Sequence, residues 1–109
     1  MKRRSLAVLQ RAVETATDRH EKARALYQLG VFHDNNSREA QAVPHYRAAL
    51  RLGLDREYEA MARAWLASSL FKTGHSQEAL AECRRARSLI KPGKLAAFIA
   101  RLEAKLGRI

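Results

Sequence analysis

One segment of this chain reads twice, 37 residues apart. The first copy is Ala25-Leu26-Tyr27-Gln28-Leu29-Gly30, followed by Ala42-Val43-Pro44-His45-Tyr46-Arg47-Ala48-Ala49-Leu50. The second is Ala62-Arg63-Ala64-Trp65-Leu66-Ala67, followed by Ala79-Leu80-Ala81-Glu82-Cys83-Arg84-Arg85-Ala86-Arg87. A unit of this size cannot bury its apolar face alone and becomes stable by stacking on its neighbours. The repeat therefore predicts a stacked-helix array, an architecture that presents an extended surface to another molecule rather than enclosing a reaction.

Apolar residues recur at helical spacing along almost the whole length, and strand-like alternation is absent. Leu6, Leu9, Val13 and Ala16 form one stripe. Ala23, Leu26, Leu29, Gly30 and His33 form the next, and Ala42, Val43, Tyr46, Ala49, Leu50 and Leu52 the third. Asp18 stands three residues before Glu21, the spacing of a capping box. Asp34-Asn35-Asn36-Ser37 reads as a turn with N-cap material for the third helix, which Gly53 ends. Asp55 is placed to cap a fourth helix over Arg56–Lys72. After the turn Thr73-Gly74-His75-Ser76, a fifth helix runs to about Ile90, where Lys91-Pro92-Gly93 breaks it, and a sixth runs over Leu95–Leu106. Pro44 lies inside the third helix and crowds the carbonyl of Ala40, so a bend or a late helix start is expected. The expectation is an all-α fold of about six helices in antiparallel pairs, one domain over residues 1–109.

Cys83 is the one cysteine, which excludes an internal disulfide and suits a reducing, cytoplasmic setting. No stretch approaches the roughly 20 apolar residues of a membrane span. The basic start Met1-Lys2-Arg3-Arg4 precedes an apolar run too short for a signal peptide. The net charge of +10 is uneven: residues 84–109 hold 8 of the 21 basic and 1 of the 11 acidic side chains. A basic face of this kind draws acidic peptides, nucleic acid or anionic surfaces, or is simply a solvated arginine-rich surface.

Leu26, Leu29, Gly30, Ala42, Tyr46 and Ala49 sit at the spacing of the tetratricopeptide repeat, and Leu66, Ala67, Leu70, Gly74, Ala79, Cys83 and Ala86 at the matching places of the second copy. The chain resembles that family over about residues 20–92. The resemblance implies a right-handed α-solenoid of paired helices A and B. Gly30 would let helix B approach, Ala42 and Ala49 would serve the same close packing, and Tyr46 would fill the space between repeats. Leu9, Ala12 and Val13 match Tyr46, Ala49 and Leu50, so residues 3–17 resemble an unpaired helix B. Repeats follow at 19–53 and 56–91. Phe98, Ile99 and Ala100 match Trp65, Leu66 and Ala67, so residues 94–107 resemble an A helix acting as a cap. The period exceeds the family's usual 34, and Ala49-Leu50-Arg51-Leu52-Gly53-Leu54 with Leu66-Ala67-Ser68-Ser69-Leu70 resembles its group-5 branch. Members of that branch are small bacterial proteins, some of them thought to dimerise.

In this family the A helices line a concave groove. Projection of that face gives Arg24, Tyr27, Val31 and Asp34, then Met61, Ala64, Ser68, Phe71 and Lys72, then Lys94, Ala97, Arg101 and Lys105. Tyr27, Met61 and Phe71 would be apolar anchors beside cations, which suits a protein or peptide partner with hydrophobic and acidic residues. Met61 and Phe71 would otherwise complete inter-helix packing. Tyr27 and Val31 stand where the lysine and asparagine of a chaperone-tail clamp would be, so binding of that kind is not expected. A helix B without its A partner leaves Leu6, Val8 and Val13 uncovered. A second protomer in a two-fold arrangement would cover them.

No catalytic residue, cofactor or metal site is expected. His20, His33, His45 and His75 lack i, i+4 pairing. Cys83 reads as a buried packing residue and His33 as an inter-helix one. No phosphate loop or nucleophile–base pair is present. The alternative to a protein-binding module is a polyanion binder that uses Arg84, Arg85, Arg87, Lys91, Lys94, Arg101, Lys105 and Arg108, although that region lacks stacking aromatics and a base-reading motif.

Overall fold

The computed structural model describes residues 5–107. Six helices account for most of them: α1 (Leu6–Thr15), α2 (Arg19–Asn35), α3 (Glu39–Leu52), α4 (Arg56–Lys72), α5 (Ser76–Arg87) and α6 (Lys94–Leu106). The expected Asp18 cap forms at α2, and α1 has a side-chain cap that the sequence reading did not name. Ser5 Oγ accepts from the Val8 amide at 3.2 Å, and Asp18 accepts from the Glu21 amide at 2.8 Å. The Glu21 carboxylate reaches back to the amide and hydroxyl of Thr17, at 3.1 and 2.7 Å, so the reciprocal half of the box closes one residue early.

The later caps differ from expectation. Arg38, with no side-chain cap, precedes α3, and Ser37 sits in the left-handed region at φ 58°. Asp34 accepts instead from the hydroxyl of Tyr46 at 3.1 Å. Asp55 occupies the N-cap position of α4 but makes no cap bond. It leans toward α2, where His20 Nδ1 is 3.6 Å and Arg24 3.9 Å away. Pro44 lies well inside α3, which does not start late. Helix α5 ends at Arg87 rather than near Ile90, and α1 is shorter than the expected 3–17, of which residues 3 and 4 lie outside the described residues. Gly53 and Gly74, at φ 104° and 85°, supply the left-handed backbone that reverses the chain after α3 and α4.

Each helix packs on the next, and α2–α4 and α4–α6 also pack together, whereas the α1 and α3 backbones stay apart, as do those of α3 and α5, which are linked at the surface by the Arg47–Glu78 ion pair. The structure is therefore two unequal layers. Helices α2, α4 and α6 form a contiguous inner layer, while α1, α3 and α5 splay apart behind it. Such splaying is how stacked helix pairs acquire a concave face.

The core between the layers is built from small residues. Ala23, Ala42, Ala49, Ala60, Ala62, Ala64, Ala67, Ala79 and Ala86 are all essentially fully buried, around Tyr46, Leu66, Leu70, Cys83 and Ile99. Alanine at the crossing points brings helix axes together, and the few large side chains fill what remains. The tightest approach is α2 on α3: a Cβ added at Gly30 would lie 2.6 Å from Cε1 of the fully buried Tyr46. The corresponding residues of the second repeat are Ala67 and Cys83, a larger residue facing a smaller one. Between the layers Arg63 bridges Glu59 and Glu82, each at 2.8 Å, and His33 of α2 stacks on His45 of α3 at 5.2 Å.

Candidate partner-binding cleft

Two adjoining depressions open along α4 and α6. The first, about 340 Å³, is lined by Glu57, Met61 and Trp65 of α4 and Lys94, Leu95 and Phe98 of α6. The second, about 540 Å³, is lined by Arg56, Glu57 and Ala60, the connection Leu89, Ile90, Lys91 and Gly93, and again Lys94 and Leu95. Shared residues join them into one trough with an apolar floor and a rim of three cations, Arg56, Lys91 and Lys94, against one carboxylate, Glu57.

Helical spacing makes the floor. Met61 and Trp65 are four apart on α4, and Leu95 and Phe98 three apart on α6, so each pair presents one face across the seam. Trp65 and Phe98 meet edge to face at 5.1 Å and are both half-buried. The indole N–H is not left to the ligand: it donates to the Tyr27 hydroxyl at 3.1 Å, which in turn lies 3.9 Å from Met61 Sδ. This chain fixes the Trp65 ring from behind and leaves its edge to the trough. Arg56 Nε donates to the carbonyl of Leu89 at 3.1 Å and ties the α5–α6 connection to α4.

The residues projected from sequence do not gather into one patch. Met61 lines the trough. Tyr27 does not reach the surface: it is 6% exposed, packs edge-on against Tyr58 at 5.4 Å and supports Trp65 from below. It is a core residue rather than an anchor, and burial raises its phenol above the ordinary range. Arg24 lies over the Tyr58 ring at 4.4 Å and borders a separate depression between α1, α2 and α4. Val31 and Phe71 are half-buried against the core, and Ser68 is half-buried. Lys72 faces Glu39 at 3.8 Å. Arg101 and Lys105 are exposed on α6.

Sequence reasoning missed Trp65, Leu95 and Phe98 as a site. The signal was present, because Phe98 and Trp65 hold the same place in successive A helices, and equivalent positions in adjacent A helices are neighbours.

Cys83 is fully buried, and burial pushes its thiol up to about 11, with Glu103 adding to the rise and Arg87 opposing it. Among the described residues no group of three or more histidine, cysteine or acidic side chains could hold a metal ion. None of their helices is long and apolar enough to cross a membrane. A family model described as tetratrico peptide repeat, of the group-5 branch, matches residues 22–106. No curated protein and no solved structure matches the chain.

Proposed function

Because the chain belongs to the tetratricopeptide repeat family, whose domains are generally protein–protein interaction modules and typically non-catalytic, we propose that it binds a partner protein or peptide along the α4–α6 trough. The observation that carries this reading is the floor of Met61, Trp65, Leu95 and Phe98 under a rim of Arg56, Lys91 and Lys94. An extended segment that combines bulky apolar side chains with acidic ones satisfies both features: the apolar groups lie on the floor and the carboxylates reach the rim. Beyond the trough, the exposed Arg101 and Lys105 of α6 would extend the contact, whereas Arg24 borders a separate depression and Val31 and Phe71 pack against the core.

Trp65 is the sole tryptophan and sits in the floor, so its emission reports occupancy without a label. Titration with a panel of acidic peptides carrying leucine or phenylalanine should shift that emission, and Phe98→Ala should weaken the binding at least tenfold. Binding that leaves Trp65 emission unchanged and survives Phe98→Ala would refute the location. Tyr27→Ala is unsuitable as a test, since it removes core packing and the support of Trp65.

The polyanion reading keeps one observation in its favour, the charge of residues 84–109. Two of its cations are already paired within the chain, Arg87 with Glu103 at 3.3 Å and Arg85 with Glu82 at 2.9 Å. Arg108 lies outside the described residues. Absorbance at 260 nm that co-purifies at low salt and leaves at high salt would favour this alternative.

A further inference from the structure

The charges of the α4–α6 trough are set out in a fixed order. Glu57, Lys94 and Leu95 line both depressions and so form the saddle between them. On one side of the saddle lies the apolar floor of Met61, Trp65 and Phe98, and on the other lie Arg56 and Lys91. Glu57 and Met61 are four residues apart on α4, which places the saddle about 6 Å along the helix axis from the floor. At the saddle the carboxylate of Glu57 offsets the ammonium of Lys94. Beyond it Arg56 and Lys91 face the second depression with no carboxylate on its far side. All four charged side chains are exposed, and none is ion-paired among the described residues. Elsewhere on the inner layer Arg24, Arg63 and Lys72 all have acidic partners. Arg56 gives its Nε to the Leu89 carbonyl, and its two terminal nitrogens keep their donors.

We infer that Glu57 is the specificity-determining residue of the trough, an inference that rests on the trough being the binding site. A carboxylate of the partner set at the saddle meets Glu57 and is repelled, whereas one set beyond it meets Arg56 and Lys91. Repulsion at one position sharpens the choice that attraction at the next begins. In an extended segment every second side chain points the same way, and two residues advance the chain by about 6.6 Å. A bulky apolar residue on the floor therefore sets the side chain two positions away at the saddle and the one four positions away in the second depression. The partner that fits carries a bulky apolar residue and an acidic residue four positions apart, with a neutral side chain midway between them. A run of acidic residues directly beside the apolar one fits less well, although its total charge is greater.

The test uses end-blocked serine peptides that carry one phenylalanine and one glutamate, set either four or two positions apart, each made in both chain directions. Composition and charge are then equal, and Trp65 emission at low salt reads the affinity. In the tighter-binding direction, the peptide with the wider spacing should bind about two- to fivefold more strongly, the range of one exposed charge contact. Glu57→Gln should shrink that preference by strengthening the narrow-spaced peptide, and Lys91→Gln should shrink it by weakening the wide-spaced one. Both side chains face solvent, so neither change disturbs the core. Equal affinities for the two spacings in wild type overturn the role of Glu57, as does a preference that Glu57→Gln leaves at full size. In either case a shift of Trp65 emission on binding keeps the trough as the site while the spacing rule falls. No shift with any of the peptides removes both.

Discussion

Gly30→Ala sets helix propensity against packing, and the structure decides between them. Alanine is favoured over glycine in a helix interior by about 1 kcal/mol. The added methyl would lie 2.6 and 2.7 Å from two ring atoms of Tyr46 and must be pushed to at least 3.4 Å. The ring cannot swing aside cheaply, because it is fully buried and its hydroxyl is held by Asp34 at 3.1 Å. Overpacking of this kind costs about 1–3 kcal/mol. Losing the hydrogen bond to a partly buried carboxylate adds about 1.5–3 kcal/mol. The net expectation is destabilisation by about 2–4 kcal/mol, a fall in Tm of roughly 10–25 °C for a chain of this size. The second repeat supplies the control, since Ala67 faces Cys83 there. In a Tyr46→Cys background, less stable but freed of the ring, Gly30→Ala should become neutral or stabilising. Urea unfolding of the four proteins, followed by circular dichroism, gives the coupling energy directly. An unchanged or raised midpoint for Gly30→Ala alone, or an equal cost in both backgrounds, would refute the close-packing argument.

Stability should fall as pH drops below about 6.5. Burial holds His33 and the stacked His45 below that ordinary value, and His45 and Arg38 add to the effect at His33. The unfolded chain therefore binds more protons, and the stability that is full above 6.5 declines on acidification. Urea midpoints compared at about pH 7.5 and about pH 5.5 should show the decline, and His45→Gln should flatten it. Asp34, raised by burial, acts in the opposite sense. Cys83, protonated at neutral pH and enclosed by α4, α5 and α6, should resist a thiol reagent in the native protein and react fully in denaturant. Prompt native labelling would contradict its burial.

The repeat made the fold legible, because alanine, glycine and aromatic residues at crossing points are dictated by how closely two helices approach. The ends of α4 fell on the expected residues for the same reason: Gly53 and Gly74 fix where the chain can turn. Side chains with a choice of partner were less legible. Asp55 had a helix N-terminus to cap and turned to two cations on α2. Asp34 looked like turn material and became the acceptor for Tyr46. Tyr27 sits at a groove position by helical projection, yet its ring is long enough to tuck beneath Trp65 and Met61. The facing of Trp65 and Phe98 across the trough depends on the spacing between α4 and α6, which periodicity within one helix does not report.

Every helix–helix contact in the described chain joins neighbours one or two places apart in sequence. That places the molecule at the low end of contact order, where no long loop must close before native contacts begin to reward the chain. Folding should be fast, on the order of microseconds to milliseconds, and able to start at either repeat. Opening should be graded in the same way. Amide exchange will be quickest in α1, which packs only on α2, and slowest in α4, which four other helices hold in place.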